Sequence, residues 1–278
     1  MSQAAMSQAA MSQAAMSEPA TSEDAASGPG GDVLLRATRL TRRFGGLAAV
    51  DAVSIDLRRG EVHAVIGTNG AGKSTLINML SGELAPSDGT IHLGTEAITG
   101  WSQPRRARAG VGRSYQRTNI FEALSVFENA RLSAQAAQQR AWHVWEPAGG
   151  CAASAAAARE ALDAAGLTAD AQRPTSALSH GGKRQLEIAM CLATRPRVLL
   201  LDEPLAGMGA EETERMLQLL GELKRDHAVL LVEHDMDAVF RVADRITVMV
   251  NGQVIATDVP GRIRANPEVR TAYLGEGH

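Results

Sequence analysis

Eight consecutive residues, Gly67-Thr68-Asn69-Gly70-Ala71-Gly72-Lys73-Ser74, fit the pattern GxxxxGK[ST] of a loop that cradles phosphate. Glycines without Cβ atoms let backbone N–H groups turn toward an anion, and a helix opening at the end of the loop adds the positive end of its dipole. Lys73 is placed to neutralise β- and γ-phosphate charge and the Ser74 hydroxyl to ligate Mg²⁺, with Thr75 completing the nucleotide-binding set. Downstream, Val198-Leu199-Leu200-Leu201 ends in Asp202-Glu203. Asp202 suits magnesium, directly or through water, and Glu203 can polarise an attacking water. A second apolar run, Ala228 to Val232, is followed by Glu233-His234-Asp235, so the His234 imidazole is placed to hydrogen-bond a γ-phosphate. Carboxylates at strand ends are commonly just solvated and a lone histidine there is commonly a cap. The phosphate loop turns them into expected partners, with Lys73, Glu203 and His234 as the catalytic set.

Such chemistry needs a sheet edge, and the sequence supplies the elements for one. Val62 to Ile66 reads as a central strand entering the glycine loop, and Ser74 to Leu80 has helical spacing that stops near Gly82. Ahead of them, Val53 to Leu57 alternates as an antiparallel strand does. The runs Val198 to Leu201 and Ala228 to Val232 are apolar throughout, as strands covered on both faces must be. A parallel sheet with crossover helices follows, with ligands at the carboxyl ends of its strands. Asn251-Gly252 between Ile246 to Val250 and Gln253 to Ala256 signals a two-residue hairpin. The Ala-rich stretch from Ile120 to Met190 reads as helical, broken at Pro147-Ala148-Gly149-Gly150, and is expected to be a subdomain inserted in the α/β core.

With 278 residues the chain can bury a substantial core around one large α/β domain. Lys and Arg number 28 against 31 Asp and Glu, so no global basic field favours nucleic acid, and none is expected as a partner. Cys151 and Cys191 form no CxxC or Cys/His cluster, which argues against a zinc site or disulfide scaffold and for a reducing cytosol. The apolar runs are far shorter than the roughly 20 residues of a spanning helix, so no membrane span is expected. MSQAA occurs three times and is followed by MSEPA; this stretch lacks the basic start and apolar core of a signal peptide. Residues 1–31 are expected to be a disordered low-complexity leader, leaving 32–278 as the folded domain and about 117–190 as its helical subdomain.

Leu178-Ser179-His180-Gly181-Gly182-Lys183-Arg184-Gln185 resembles the signature motif of ABC ATPases and precedes the Asp202 strand as it does there. With Gln116 in Ser114-Tyr115-Gln116, the phosphate loop, Asp202-Glu203 and His234, the stretch from Leu34 to Leu274 is similar to a complete ABC cassette. The resemblance implies a P-loop NTPase fold with a mixed-sheet core, an antiparallel β subdomain and an inserted helical subdomain. It implies two cassettes packed head to tail, so that Ser179 and Gly181 would serve the partner's nucleotide. Gln116 would sense the γ-phosphate and Mg²⁺, and Phe44 in Arg42-Arg43-Phe44-Gly45-Gly46 would stack on adenine, although a strand-end core residue is an equally good reading of that phenylalanine. ATP and Mg²⁺ are the implied cofactors.

Three positions depart from the family pattern: His180 replaces a glycine, Gly182 a Gln or Glu, and Gly209 an aspartate. A sister ATPase subunit, rather than a second copy, is expected to compensate across the dimer. Phe44-Gly45-Gly46-Leu47, Arg113 to Phe121, Leu186-Glu187-Ile188-Ala189 and Ala272-Tyr273-Leu274-Gly275 resemble the larger ATPase subunit of branched-chain amino acid importers. The resemblance thus implies ATP hydrolysis powering uptake of branched-chain or related small amino acids, at the cytoplasmic face of the inner membrane. The further partners it implies are permease subunits and, indirectly, a periplasmic binding protein. Related cassettes that handle urea, short amides or lipopolysaccharide, and soluble ABC proteins that act on nucleic acid or ribosomes, are the alternatives.

Overall fold

The computed structural model describes residues 32–115, 119–138 and 152–274. The expected leader, the Pro147 to Gly150 break and Gln116 lie outside them. In chain order the elements are β1 (Val33–Phe44), β2 (Leu47–Arg58), β3 (Val62–Gly67), α1 (Lys73–Ser81), β4 (Asp88–Leu93), β5 (Glu96–Ala97), α2 (Gln103–Arg108), β6 (Val111–Arg113), α3 (Val126–Gln138) and α4 (Ala152–Ala164). They continue with α5 (His180–Leu192), β7 (Val198–Asp202), α6 (Ala210–Leu223), β8 (Ala228–Val232), α7 (Met236–Val242), β9 (Arg245–Val250), β10 (Gln253–Asp258) and α8 (Pro260–Ala265).

Two sheets form. β1, β2, β4 and β5 make an antiparallel sheet in the order β2-β1-β4-β5. The other sheet has the order β10-β9-β3-β8-β7-β6, parallel except for the final β9–β10 hairpin. That hairpin turns on Asn251 and Gly252, both at positive φ, the geometry a two-residue turn between right-twisted strands demands.

The continuous apolar runs are explained by the two cores they separate. Leu199, Leu201, Val229 and Leu231 face one core, shared with Met216 and Leu220 of α6 and Val239 of α7. Their alternates Val198, Leu200, Leu230 and Val232 face the other, filled by α1 and by β1, β2 and β4. Every residue of β7 and β8 is buried, and at about 1.5–3 kcal/mol per large apolar side chain this double coverage makes the central sheet the rigid part of the molecule. A third, smaller core joins Val126 and Ala130 of α3, Ala158 and Leu162 of α4, and Leu186 and Ala189 of α5, the i, i+3 and i, i+4 spacings of single helix faces. In the stretch that leads into α3, Val126 is fully buried, whereas Phe121 is exposed.

α1 ends where the sequence places its stop: Gly82 adopts the left-handed conformation at the cap. Arg106 of α2 finishes that end, donating from Nη1 to the carbonyls of Met79 and Leu80 at 2.7 and 2.9 Å. The guanidinium is fully buried, and burial pulls it down to about 10.

His63 of β3 is buried between the sheets, with Nδ1 3.1 Å from the Asp56 carbonyl and Nε2 2.8 Å from Thr247 Oγ1. Burial lowers its pKa to about 4 from 6.5. The folded protein therefore binds this proton less readily than the unfolded chain, so the stabilisation is complete above pH 6.5 and drains away as pH falls toward about 4. Relative to a His63→Gln variant, the wild type is expected to lose about 2 kcal/mol more unfolding free energy between roughly pH 7.5 and pH 5, read by urea denaturation.

Candidate nucleotide site

β3 delivers Gly67 to the carboxyl edge of the parallel sheet, between β8 and β9. Thr68 to Gly72 then form the turn: Ala71 N–H donates to the Thr68 carbonyl at 3.1 Å, and α1 starts at Lys73 with no side-chain cap. An uncapped first turn leaves N–H donors pointing out of the loop, where an anion can take them. Thr68, Asn69, Gly70 and Ser74 are solvent-accessible, and Thr75 is half-buried, whereas Gly67 and Ala71 are buried beneath them. Gly72 has φ +97°, and a Cβ there would lie 2.3 Å from the Ala49 carbonyl oxygen of β2. Only glycine fits that combination of conformation and contact.

Lys73 folds back over the loop, its ammonium donating to the carbonyls of Gly67 and Thr68 at 2.6 and 3.0 Å. Burial lowers its pKa, opposed by the charges of Glu203 and Asp202. The amine is thus held by carbonyls at the spot a phosphate would contest, with two carboxylates in electrostatic range.

Those carboxylates come from the end of β7. Asp202 is buried, which raises its pKa, while the Arg113 guanidinium, 3.8 Å away at the end of β6, acts in the other direction. Glu203 sits at φ +49°, a conformation that costs a non-glycine residue of the order of 1–3 kcal/mol and turns the side chain off the strand line. Its N–H donates to the Val232 carbonyl at 2.9 Å, tying it to the end of β8. Two residues on, His234 is exposed, with Nδ1 3.9 Å from Glu203 Oε1. The structure thus brings Lys73 at the start of α1, Asp202 at the end of β7, Glu203 just beyond it and His234 beyond β8 to one edge.

Among the described residues no group of three or more His, Cys, Asp or Glu is arranged to hold a metal. Ser74 is exposed and its hydroxyl makes no protein hydrogen bond among the described residues, so with Asp202 it offers hard oxygen donors beside the loop, the donor type that Mg²⁺ takes.

Ser179 caps α5, its Oγ accepting from Gly182 N–H at 3.1 Å, with buried Gly181 in the first turn. The two face a polar cleft of about 360 Å³ that also includes Glu212 and Arg215 and is lined by no phosphate-loop residue. The cleft at the signature is thus built by α5, α6 and the turns between α4 and α5. His180 reaches the loop after Glu203, its Nε2 3.0 Å from the Ala206 carbonyl. Phe44 ends β1 with 49% exposure, and the Arg42 guanidinium lies 4.8 Å from its ring centroid, so one face is covered by a cation. Its exposure decides against a core residue. Gln116 lies outside the described residues, but Tyr115 and Asn119, which flank its segment, are both held by α5. Arg184 Nη1 donates to the Tyr115 carbonyl at 2.9 Å, and Asn119 N–H donates to Glu187 at 3.2 Å.

Sequence reasoning passed over Arg113, Glu233 and the Arg184–Glu187 pair. Buried Glu233 accepts from Leu205 N–H at 2.8 Å and His234 N–H at 3.2 Å, so it fixes the segments following both Glu203 and His234. Its place directly before His234 was the available signal. Arg113 donates to Asn78, Ser81 and Glu83 as well as facing Asp202, joining α1 to β7 through a single guanidinium. Nothing in a short Val-Gly-Arg strand announces such a role.

A phosphate loop between a central strand and a helix, with paired carboxylates at the end of another parallel strand of the same sheet, defines a P-loop nucleoside triphosphatase. Residues 50–206 match the model of the ABC transporter family, and residues 253–278 match the C-terminal model described as branched-chain amino acid ATP-binding cassette transporter. The chain is 42% identical over 252 residues to the high-affinity branched-chain amino acid transport ATP-binding protein LivG of Salmonella typhimurium, covering 87% of this chain and 98% of that one. It is 40% identical over 254 residues to BraF of Pseudomonas aeruginosa, which carries the same description, with the same coverage. A nucleotide-free ATP-binding cassette from an ABC transporter superposes with a TM-score of 0.79 at 28% identity, covering 88% of this chain and all of that one. The ADP conformation of such a cassette gives 0.76 at 28% identity and 88% coverage. The chain belongs to the ABC transporter family and is an ATP-binding, ATP-hydrolysing cassette. Among the described residues no helix is long and apolar enough to cross a membrane.

Because Gly72 tolerates neither a Cβ nor an ordinary φ, Gly72→Ala is expected to raise the Kd for ATP more than about tenfold and to lower stability by about 1–3 kcal/mol. Equilibrium binding of a fluorescent ATP analogue, with a thermal melt alongside, measures both.

Proposed function

We propose that this chain powers import of branched-chain or related small amino acids, as the ATPase subunit peripheral to the cytoplasmic face of the inner membrane. The observation that carries the ATPase half is the convergence of Lys73, Asp202, Glu203 and His234 at the edge beside the phosphate loop. The cargo half is supported by the LivG and BraF relatives, which match along nearly their whole length, and by the C-terminal match at 253–278.

In this reading Phe44 stacks on adenine with the face Arg42 leaves open, and Gly67 to Thr75 hold the phosphates. Lys73 releases the loop carbonyls to meet β- and γ-phosphate oxygens. Ser74, Asp202 and Gln116 would hold Mg²⁺, which when bound supplies charge neutralisation of the transferring phosphoryl group. Glu203 orients and polarises the attacking water, and His234 donates to the γ-phosphate. Ser179 and Gly181 close on the nucleotide of a second cassette, a sister subunit or another copy. The helical part, about 117–190, follows the permease subunits because ATP favours the closed pair over the open one.

Glu203→Gln is expected to retain ATP binding, lower turnover at least about a hundredfold and accumulate the closed pair, read by phosphate release and light scattering. Unimpaired hydrolysis sinks the assignment of Glu203. For the cargo, ATPase activity is measured in liposomes after co-expression with the membrane and sister subunits encoded alongside. A leucine-loaded binding protein is expected to stimulate it several-fold, whereas robust but unresponsive turnover keeps the motor and discards the amino acid.

A further inference from the structure

The signature loop already holds an anion. Glu212, in the first turn of α6, places Oε1 2.7 Å from Ser179 Oγ, which donates to it, and 3.3 Å from Gly181 N, whose N–H also donates. Its other oxygen accepts from Gly209 N–H at 3.4 Å. One carboxylate thus engages the hydroxyl and the backbone N–H that the proposed function assigns to a partner's γ-phosphate. The seat is close-fitting: a Cβ on Gly181 would lie 2.6 Å from the Glu212 carboxyl carbon, so this glycine is the residue that lets the carboxylate in. The Ser179 hydrogen bond holds the Glu212 carboxyl below its ordinary pKa, so it is charged at neutral pH.

A carboxylate and a γ-phosphate cannot share these donors. The arriving phosphate oxygens need the hydroxyl and N–H donors that Glu212 occupies, and the two negative charges repel at hydrogen-bonding distance. We infer that Glu212 is a resident stand-in for the γ-phosphate at the signature, and that ATP must displace it for the cassettes to close, so that this side chain sets the ATP concentration at which closure occurs. ADP has no γ-phosphate to compete with and leaves Glu212 in place, which sharpens the distinction between the two nucleotides. The departures at Gly182 and Gly209 fit the same account. Neither carries a side chain that would compete with Glu212 for the seat, and the Gly209 N–H is one of its donors.

This inference rests on the signature serving a partner's nucleotide, and the test separates the two. In full-length protein assembled with its membrane and sister subunits, on the Glu203→Gln background, the ATP concentration for half-maximal closure is measured at low and high salt. Glu212→Gln keeps the size and the helix-capping capacity of the side chain but not its charge. It is expected to lower the half-maximal ATP concentration by about threefold to fivefold at low salt, the range of one solvent-accessible charge contact, with the difference shrinking at high salt. Ser179→Ala, made together with Glu212→Gln so that loss of the Glu212 anchor does not offset it, removes a donor to the nucleotide itself and is expected to raise the requirement relative to Glu212→Gln alone. An unchanged or higher requirement in Glu212→Gln, with Ser179→Ala impaired, overturns the role of Glu212 and leaves the signature reading intact. If Ser179→Ala changes nothing, both fall.

Discussion

The whole site depends on backbone packed against backbone around the phosphate loop. Met249 O of β9 lies 2.1 Å from where a Cβ on Gly67 would sit, and Ala49 O of β2 stands as close to Gly72. From the far side the β9–β10 turn completes the grip: Gly252 N–H donates to the Ala71 carbonyl at 3.1 Å, and Asp51 N–H donates to the Gly252 carbonyl at 2.8 Å. A loop held by side chains can change rotamer, whereas one held by carbonyls and amides of three strands moves only if the strands do. That rigidity is what leaves the N–H groups of the loop pointed at a ligand without a reorganisation cost when it binds.

The same constraint explains what was legible in the sequence. Gly67, Gly72 and the Asn251-Gly252 turn were readable because each answers a local demand of conformation or contact that few residue types meet. β7 and β8 were readable because strands buried on both faces admit only apolar residues, and α1 was readable from its spacing and its glycine stop. Arg106 and Arg113 were not. Both are arginines in unremarkable stretches, and what they face on other elements, the end of α1 for both and Asp202 for Arg113, is set by the fold and not by the local sequence. Periodicity reports which face of an element is covered, and it carries no information on which distant carbonyls need a donor. Glu212 was invisible for the same reason, since only the fold brings α6 to the start of α5.

Chemistry and motion are divided between two kinds of structure. Asp202, Glu203 and His234 hang from the ends of β7 and β8, whose neighbours on both faces are large apolar side chains. Such a platform can hold Glu203 at positive φ, because the Val232 carbonyl and the buried Glu233 carboxylate fix the chain on either side of it. The strain is sustained by a close-packed core on both faces of the sheet.

α5 is built for the other task. Its outer end carries Ser179 and Gly181, its middle carries Arg184 and Glu187, and its inner end buries Ile188 and Leu192 against the main core. Arg184 and Glu187 form an ion pair at 2.8 Å and each also binds one flank of the segment that contains Gln116. Burial raises the Glu187 pKa, and the adjacent guanidinium opposes it, so the carboxylate is sustained by its partner and neither charge can be withdrawn alone. One helix therefore joins the signature, proposed to meet a second cassette, to both flanks of the segment that contains Gln116. In the proposed reading α5 is the lever that joins Ser179 to Tyr115 and Asn119. With Glu212 in the seat, that lever is held in the position it takes when no γ-phosphate is there to claim it.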